Sequence, residues 1–363
     1  MTTSSHFPVM ETFNCGPFQA PRVWTGLWQL SSNAWGSAPV SKIRSGMSRH
    51  VELGYTAFDM PTIMAAQRSS SFVAFIRFFS VTHLRKQGQF KKNHLSTTNG
   101  PRVVGATKWC VFKSLEPSRA VVEAAVQERL ERMSTDRLDL LQFHWQDYSD
   151  KGYLIALQYL CDLQIEGRLS AIGLCNFDTK RTDEICTQLG PGFIATNQVQ
   201  FSLIDTRPLH GMADVCDKHD VKILAYGTLC GGFLADKWLD QPQPDLYSGQ
   251  LTPSQRKYLD MIARAWGNWD LFQDLLHVLR LVGDRHGNVS IANVATRWVI
   301  DHSWVGAVII GARLGLSEHP GDNQKVFTFA LAAEDNAAID AVLARSDGHR
   351  LITTIGDCGA EYR

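Results

Sequence analysis

Residues 138–201 carry the pattern that decides the fold: LDLLQFHWQDYSDKGYLIALQYLCDLQIEGRLSAIGLCNFDTKRTDEICTQLGPGFIATNQVQF. Apolar runs at residues 138–144, 169–176 and 195–201 predict three short strands. The segments between them, residues 153–165 and 179–189, have helical spacing and are followed by Gly167 and Gly190, as helices commonly are. Strands that alternate with helices pair in parallel, so this stretch predicts an α/β protein with a parallel sheet.

The same alternation extends in both directions from this stretch. Residues 22–30, 56–60, 102–109, 222–226 and 306–311 are further predicted strands. Predicted helices cover residues 40–53, 118–133, 208–219 and 331–346, with several more within 254–300. A long insertion containing Pro242 and Pro244 precedes the helices of that last range. Such regular alternation along the whole chain predicts one domain over residues 1–363.

Local pattern alone leaves two arrangements of a parallel sheet, an open doubly wound sheet and a closed barrel. No Gly-x-Gly-x-x-Gly motif follows the first strand, which argues against an open dinucleotide-binding sheet. Polar residues stand at the carboxyl ends of nearly all the predicted strands: Asp59, Lys108, His144, Asn176, Gln198 and Tyr226. Because barrel enzymes build their sites at that rim, these residues favour a (β/α)8 TIM barrel with its site there.

The charge composition argues against some classes of binding partner. Lys plus Arg and Asp plus Glu both number 36, so no net charge favours nucleic acid or an anionic membrane. A small-molecule substrate is therefore expected. The sequence shows no signal peptide, no apolar run of the roughly 18 residues that a spanning helix needs, and no cysteine spacing typical of a metal site. These features predict a cytoplasmic protein without a metal ion, and they leave its oligomeric state open.

Residues 61–100 break the alternation. They occupy the place of the second barrel helix, yet residues 72–100, FVAFIRFFSVTHLRKQGQFKKNHLSTTNG, show neither a helical face nor turn signals. An irregular segment of about 40 residues is unusual inside a compact domain. We therefore interpret residues 61–100 as an atypical segment of the predicted barrel.

Several short motifs, in order and at consistent spacing, resemble the aldo-keto reductase family over most of the chain outside residues 61–100. They are GLWQL at the first strand, GYTAFD at the second, ATKW at the third and DLLQFHW at the fourth, then IGLCNF, NQVQFS, LAYGTLCGG and GARLGLSEHPGDN. The stretches WTGLWQLSSNAWG and GLSEHPGDN most resemble fungal reductases of secondary-metabolite clusters. The resemblance implies a TIM barrel that binds NADPH and reduces carbonyl groups.

The family carries out its reaction with four residues: Asp, Tyr, Lys and His. Asp59, Lys108 and His144 match three of them. Charge builds on the carbonyl oxygen as hydride reaches the carbon, so the oxygen needs a proton donor and fixed dipoles. In the family the Tyr donates the proton, the Lys held by the Asp lowers the pKa of that Tyr, and the His orients the carbonyl.

The matching tyrosine is missing. The family has it five residues after the Asp, and Met64, which has no proton to donate, stands at that position. Tyr55 precedes the strand and is expected to point toward the other end of the barrel. One hypothesis is a one-base deletion or a gene-model error after Met60, because MPTIMAAQRSS translated one base out of frame can yield ADHYGSAEI, with the family's Tyr-Gly pair. Sequencing the transcript would decide it, since a clean cDNA that encodes PTIMAAQ excludes a gene-model error.

The resemblance also implies residues that hold the cofactor. Asn176 and Gln198 match the pair that binds the nicotinamide carboxamide, and Tyr226 matches the aromatic residue that stacks on the nicotinamide ring. The loop expected at the pyrophosphate contains Gly227, Thr228, Leu229, Gly231 and Gly232, and the segment expected at the adenosine phosphate contains Gly311, Ala312, Arg313, Ser317, Asp322 and Asn323. An arginine there suits a 2′-phosphate, which favours NADPH over NADH. That segment is about two residues longer than the common family pattern, and Pro320 is expected to interrupt the start of its helix.

These expectations together indicate an NADPH-dependent carbonyl reductase acting on a small or bulky apolar ketone or aldehyde, with secondary-metabolite tailoring as its role. Trp28, Trp145 and the insertion from Trp238 to Tyr247 are candidates for the substrate pocket, or else packing residues. Without the tyrosine, the proton would come from water or His144, and ketone reduction is expected to be weak or absent. Two alternatives stay open: an inactive cofactor-binding relative or damaged gene product, and an alkene reductase with His144 as the acid.

Overall fold

The computed structural model describes residues 9–61 and 102–363, and its centre is a closed barrel of eight parallel strands. The eight strands are β3 (Val23–Gly26), β4 (Ala57–Asp59), β5 (Val104–Val111), β6 (Leu138–Trp145), β7 (Leu169–Cys175), β8 (Ile194–Gln200), β9 (Lys222–Tyr226) and β10 (Val305–Gly311). They follow one another around the barrel in chain order, and β10 pairs with β3 to close it. The prediction of a TIM barrel is confirmed.

A hairpin that the sequence analysis did not predict covers the amino-terminal end of the barrel. Its strands are β1 (Thr12–Cys15) and β2 (Phe18–Pro21), which pair antiparallel. Cys15 and Phe18 are buried in a cluster with residues near the starts of the barrel strands, among them Ala57 and Val104. With this end covered by the hairpin, the carboxyl ends of the strands remain as the open face of the barrel.

Helices surround the barrel and bury their apolar sides on it. They are α1 (Val40–Glu52), α2 (Arg119–Met133), α3 (Gly152–Ile165), α4 (Thr179–Leu189), α5 (Met212–His219), α6 (Pro253–Met261), α7 (Trp269–Arg285), α8 (Ile291–Ile300), α9 (Pro320–Asn323), α10 (Ala333–Leu343) and α11 (Leu351–Thr354). Side-chain caps at Ser118, Asp178 and Asn268 begin α2, α4 and α7, where each satisfies a backbone N–H that the helix itself leaves without a partner.

Several predicted boundaries are wrong for local physical reasons. The predicted helix at residues 208–219 is divided: a 3-10 turn ends at Leu209, and α5 begins at Met212, because Gly211 has a φ of 100°. The predicted strand at residues 22–30 ends at Gly26. Pro320 does not interrupt a helix but begins α9, where its missing N–H would have had no helical partner in any case.

The atypical segment lies outside the described residues, apart from its first residue, Pro61. Within residues 9–61 and 102–363, no helix is long and apolar enough to cross a membrane. Across the same residues, no group of three or more His, Cys, Asp or Glu side chains could hold a metal ion. Seven of the eight cysteines are buried, as expected of core residues.

Candidate active site

Asp59 and Lys108 form a buried ion pair inside the open end of the barrel. The Lys108 Nζ lies 2.6 and 2.7 Å from the two carboxylate oxygens of Asp59. The two residues are only 5% and 6% exposed. The third hydrogen of the ammonium group is directed to the backbone oxygen of Met60, at 3.0 Å. All three donors of Lys108 are therefore used within the protein.

Gln142, which the sequence analysis missed, joins this pair to Gln198. Gln142 donates from Nε2 to Asp59 Oδ1 at 2.7 Å, and Gln198 donates from Nε2 to the same oxygen at 2.9 Å. Gln198 Nε2 also donates to Gln142 Oε1 at 2.6 Å. An ionised carboxylate can only accept, so both amides must turn their NH2 groups to Asp59. The amide oxygen of Gln198 is thereby turned away from the carboxylate, in the orientation that suits an NH2 group of a ligand.

Strand parity could have identified Gln142. It lies two residues before His144 on β6, and side chains two apart on a strand point to the same side. Asp59, Lys108 and Gln142 lie on three neighbouring strands, β4, β5 and β6. The Lys108–Gln142 register pairs the last two directly. Any polar side chain with the parity of His144 therefore lies in the interior row that contains the ion pair.

His144 is buried and holds one ring nitrogen against the backbone. Its Nδ1 lies 2.9 Å from the Cys175 carbonyl oxygen, which can only accept, so Nδ1 carries the hydrogen. Burial lowers the pKa of His144 below its usual value of 6.5, and the charge of Arg363 lowers it further. The neutral ring with hydrogen on Nδ1 has a bare Nε2. In this state His144 can accept a hydrogen bond at Nε2 but has no proton there to donate.

Asn176 and Tyr226, the two other residues expected at the nicotinamide, touch each other. Tyr226 donates its hydroxyl hydrogen to Asn176 Oδ1 at 3.0 Å. Asn176 follows β7 with a φ of 59°, the left-handed conformation that Asn tolerates better than most residues. Its backbone N–H donates to the Gln198 carbonyl at 2.9 Å. The structure thus brings Asn176, Gln198 and Tyr226 together at the rim.

The loop after β9 has the backbone expected of a phosphate cradle. Gly227, Gly231 and Gly232 have φ values of 73°, 65° and 91°. An added Cβ at Gly232 would enter open space, whereas one at Gly227 would lie 2.1 Å from the Tyr258 hydroxyl. Thr228 is buried and donates to the Phe201 carbonyl at 3.2 Å, so its hydroxyl holds the loop to the barrel. Leu229 is half-buried against the core.

The segment after β10 forms a tight turn with an accessible arginine. Arg313 and Ser317 exchange backbone hydrogen bonds of 3.1 and 2.9 Å. Arg313 Nη1 lies 3.5 Å from the Trp35 carbonyl, and among residues 9–61 and 102–363 Arg313 makes no ion pair. Gly311 ends β10 and lies at the exposed rim. A partly exposed arginine beside a glycine-ended strand fits a phosphate group.

Of the two residues expected further along this segment, Asp322 has a side chain that is already bound within the protein. Asp322 accepts from Ser290 Oγ at 2.8 Å and forms an ion pair with Lys325 at 2.9 Å. Asn323 is half-buried at the end of α9, and its backbone N–H donates to the His319 carbonyl at 2.9 Å. Asp322 therefore links α9 to α8, and a ligand contact by either side chain stays a prediction.

The candidate pocket aromatics differ in exposure. Trp145 is 2% exposed and donates from its indole to the Asp147 carbonyl, so it is a packing residue. Trp28 is 52% exposed, in the 3-10 turn after β3. Trp238 packs against Phe233, with ring centroids 4.8 Å apart. Tyr55, the tyrosine that precedes β4, donates to the Pro320 carbonyl at 2.7 Å, so its hydroxyl is not at Lys108.

A segment that the sequence analysis did not single out crosses the open face of the barrel. We call residues 356–363 the C-terminal strap. Gly359 packs so closely on Asn176 that an added Cβ would lie 2.2 Å from its backbone oxygen. Arg363 donates to that same oxygen and to the Tyr148 hydroxyl. The hydroxyl of Tyr362 lies 3.2 Å from that of Tyr226. The strap therefore contacts two of the residues expected at the nicotinamide.

Comparisons with known proteins agree with the fold. The model of the aldo/keto reductase family matches residues 22–344. The chain is 22% identical over 341 residues to the aldo-keto reductase YhdN of Bacillus subtilis (strain 168), and the match covers 90% of each chain. Among solved structures it is similar to the glycerol dehydrogenase of Gluconobacter oxydans, with a TM-score of 0.69, 22% identity and coverage of 92% of this chain and 95% of that one.

A second solved structure is an aldo/keto reductase from Klebsiella pneumoniae in complex with NADP and acetate. It has a TM-score of 0.62 and 20% identity, and the match covers 92% of this chain and 96% of that one. At these identities the similarity to solved structures shows the fold alone.

Proposed function

This chain belongs to the aldo/keto reductase family, and on that premise we propose that it is an NADPH-dependent oxidoreductase that reduces the carbonyl of a small or bulky apolar ketone or aldehyde. The observation that carries the proposal is the buried Asp59–Lys108 pair, joined through Gln142 to Gln198 at the open end of the barrel. Burying two charges costs free energy unless the charges pair at short distance and are hydrogen-bonded. Ionisable groups in such unusual surroundings are common at functional sites. We further propose a cytoplasmic location and a role in secondary-metabolite tailoring.

The residues at the rim fit NADPH. Bound NADPH supplies the hydride that reduces the carbonyl carbon. The oriented amide of Gln198 and the Asn176–Tyr226 pair would hold its nicotinamide, and the open space at Gly232 would admit the pyrophosphate. Arg313 would bind the 2′-phosphate, because a guanidinium binds phosphate oxygens in a planar fork.

The missing tyrosine is the reason that reduction should be slow. The resemblance implies a proton-donating tyrosine beside Lys108, whereas the three hydrogens of the Lys108 ammonium group are directed to Asp59 and the Met60 carbonyl. Met64 stands at the family position of that tyrosine and lies outside the described residues. A general acid contributes about 10²–10⁴-fold to a rate. We therefore propose that ketone reduction is slowed, by as much as that factor where no other residue donates the proton.

Two measurements test this function. The first is cofactor affinity, followed by tryptophan fluorescence with NADPH and NADH. We expect NADPH to bind more tightly, and we expect Arg313→Gln to remove most of that preference, whereas Arg264→Gln on the outer surface leaves it intact. The second is NADPH oxidation with an activated ketone, which should be measurable but slow. Equal affinity for both cofactors would refute the assignment to NADPH, and turnover at ordinary rates would refute the slowing.

A second candidate is an inactive cofactor-binding protein, which Met64 at the family position of the proton-donating tyrosine favours. NADPH binding with no detectable oxidation of any ketone would support it. A third candidate is alkene reduction with His144 as the acid. Because burial lowers the pKa of His144, that activity would appear only on acidification, so a rate that rises below pH 6.5 with an activated alkene would favour it.

A further inference from the structure

The C-terminal strap is fixed to the barrel by buried charges. Arg207 is 1% exposed and pairs with Asp205, whose Oδ2 lies 2.7 Å from Nη2. The same guanidinium pairs with Glu361 of the strap, at 2.9 and 3.0 Å. At the other end of the strap, Asp357 accepts from the backbone N–H of Thr179, the first residue of α4, at 2.8 Å. Two anchors therefore hold residues 357–361 in one place, and the two residues that follow are positioned by them.

Those two residues, Tyr362 and Arg363, lie among the groups expected to touch the reactants. The Tyr362 hydroxyl lies 3.2 Å from the Tyr226 hydroxyl. Arg363 donates to the Asn176 carbonyl, and its charge is near enough to His144 to disfavour the cationic form of that ring. The strap therefore brings Tyr362 and Arg363 to the part of the open face where the nicotinamide and the carbonyl are expected.

Tyr362 is paired with a lysine. Lys257 Nζ on α6 donates to the Tyr362 hydroxyl at 3.0 Å and to Gln200 Oε1 at 2.8 Å. Its ammonium lies 5.1 Å from the centroid of the Tyr362 ring and 3.8 Å from Glu361 Oε1. The Lys257 side chain is 39% exposed, so solvent reaches it. A tyrosine beside a lysine is the pairing that the family resemblance implies at Lys108, where this chain has Met64 at the position of the tyrosine.

The hydroxyl hydrogen of Tyr362 has one acceptor beside it, the Tyr226 oxygen at 3.2 Å. Tyr226 gives its own hydrogen to Asn176 Oδ1, and Lys257 gives one to the Tyr362 oxygen. The Tyr362 oxygen thus accepts from Lys257, and its own hydrogen can turn from the Tyr226 oxygen to a ligand in the cleft. The ring is half-buried, which leaves the hydroxyl within reach of both the cleft and water.

Other proton donors near the site are worse placed. Neutral His144 carries its hydrogen on Nδ1, where it is bound to the Cys175 carbonyl. Burial raises the pKa of Tyr148, Tyr226 and Tyr258, which makes each a weaker acid. The Tyr258 hydroxyl also lies 3.4 Å from Gln200 Oε1, its acceptor. Among the described residues, this leaves Tyr362 as the best-placed donor.

We propose that Tyr362, paired with Lys257, donates the proton to the carbonyl oxygen in place of the tyrosine that this chain lacks. This inference rests on the proposed function. The carbonyl π bond breaks as its carbon gains hydride from NADPH, and the oxygen takes the proton of the Tyr362 hydroxyl to give the alcohol. The resulting phenolate takes a proton from the Lys257 ammonium, which water then reprotonates. The balance is NADPH, one proton and the ketone giving NADP+ and the alcohol.

The test compares Tyr362→Phe with the wild-type protein and with Tyr159→Phe, a matched loss of a hydroxyl on outer helix α3. NADPH affinity is measured first, by tryptophan fluorescence. The rate of NADPH oxidation with an activated ketone is measured second. The affinity of acetate for the protein loaded with NADP+ is measured third, because acetate carries an oxyanion like the one that the donor would stabilise and requires no turnover.

We expect Tyr362→Phe to bind NADPH within twofold of the wild type, to lower kcat at least tenfold, and to weaken acetate binding by about tenfold or more, because tenfold is the lower end of the contribution of a hydrogen bond to a charged group. Lys257→Met should lower kcat as well, and Lys257→Arg should restore part of it. Tyr159→Phe should change none of the three.

Unchanged kcat and acetate affinity in Tyr362→Phe would overturn the donor role, as would a loss confined to NADPH affinity. A wild-type protein that does not bind NADPH would instead refute the proposed function at the first step, and the donor role with it.

Discussion

Gln142 links the Asp59–Lys108 pair to Gln198, a residue expected at the nicotinamide. It is fully buried, donates to Asp59 and accepts from Gln198. A leucine at this position would keep the volume but leave the second hydrogen of the Gln198 amide without its acceptor. The Gln198 amide could then rotate, and its oxygen would no longer be fixed toward a ligand. Loss of this orientation costs about the free energy of one hydrogen bond.

We therefore expect Gln142→Leu to weaken NADPH binding about tenfold, since a hydrogen bond of roughly 1–1.5 kcal/mol corresponds to that factor. Loss of a donor to a buried carboxylate should also lower the free energy of unfolding by about 1–3 kcal/mol. Fluorescence titration and urea unfolding measure the two effects. Gln158→Leu, at an exposed position on α3, is the control and should change neither. Unaltered NADPH affinity in Gln142→Leu would show that Gln198 is oriented without it.

At the same scale, strand ends located Asp59 and Lys108 and the family resemblance implied that they pair, but neither indicated that Gln142 joins the pair to Gln198. Asp59, Lys108 and Gln198 could be predicted because polar residues that end strands are conspicuous among apolar ones. Gln142 stands inside LDLLQFH, where the apolar neighbours dominate, and only strand parity places it in the interior. The hydrogen position on His144 could not be predicted at all, because it depends on the Cys175 carbonyl of the neighbouring strand.

At the scale of elements, the C-terminal strap depends on one glycine. Gly359 has a φ of 76°, and an added Cβ would lie 2.2 Å from the Asn176 backbone oxygen. Gly287 has nearly the same φ, 75°, with nothing within 4 Å of an added Cβ. The same substitution at these two positions therefore separates backbone strain from collision. Strain alone costs roughly 1 kcal/mol, whereas a collision with backbone requires the strap to move.

We expect Gly359→Ala to displace the strap and Gly287→Ala to leave it in place. Limited proteolysis followed by mass spectrometry should show early cleavage near the C-terminus in Gly359→Ala only. Gly287→Ala should lose only the small amount of stability that strain costs, and Gly359→Ala should lose more, because the displaced strap also loses its contacts. Equal proteolysis of the two would mean that the contact at Asn176 does not hold the strap.

Elements with regular spacing could be predicted, and irregular ones could not. The amphipathic helix at residues 179–189 was predicted with its observed bounds, since Asp178 caps it and Gly190 follows it. The hairpin of β1 and β2 has four residues in each strand, too few for a pattern of alternation. The strap has no periodicity, because charged anchors such as Glu361 and Asp357 hold it instead of an apolar face.

At the scale of the whole molecule, the local sequence pattern does not decide whether the parallel sheet stays open or closes into a barrel. An inner strand of a barrel is buried on both sides and therefore has the same continuous apolar pattern as a strand of an open sheet. All eight positions of β6 are buried, as this argument requires. What distinguished the barrel was the ring of polar residues at the strand ends, which is a property of the whole chain. The pairing of β10 with β3 confirms that inference.

The burial of neutral histidines makes the stability of the whole molecule depend on pH. Burial lowers the pKa of His50, His144 and His302 below the usual value of 6.5. The unfolded chain therefore binds protons near pH 6.5 that the folded protein does not, and the free energy of unfolding falls as pH falls through that value. Each such histidine contributes a slope of at most about 1.4 kcal/mol per pH unit. Carboxylates with lowered pKa values, such as Asp335, lose their contribution only near or below their usual value of 3.8.

We therefore expect urea unfolding at pH 7.5, 6.5 and 5.5 to show a stability that declines over the lower interval. His302 donates from Nδ1 to the Trp298 carbonyl at 2.9 Å and packs against Phe201 and Trp304. Substituting it by Gln should lower stability at pH 7.5 yet reduce the decline toward pH 5.5. The reason is that the unfolded variant gains one proton fewer, relative to the folded variant, than the unfolded wild type does. The exposed His349→Gln variant should retain the wild-type decline. If His302→Gln declines as steeply as the wild type, proton uptake by His302 is not what destabilises the fold in acid.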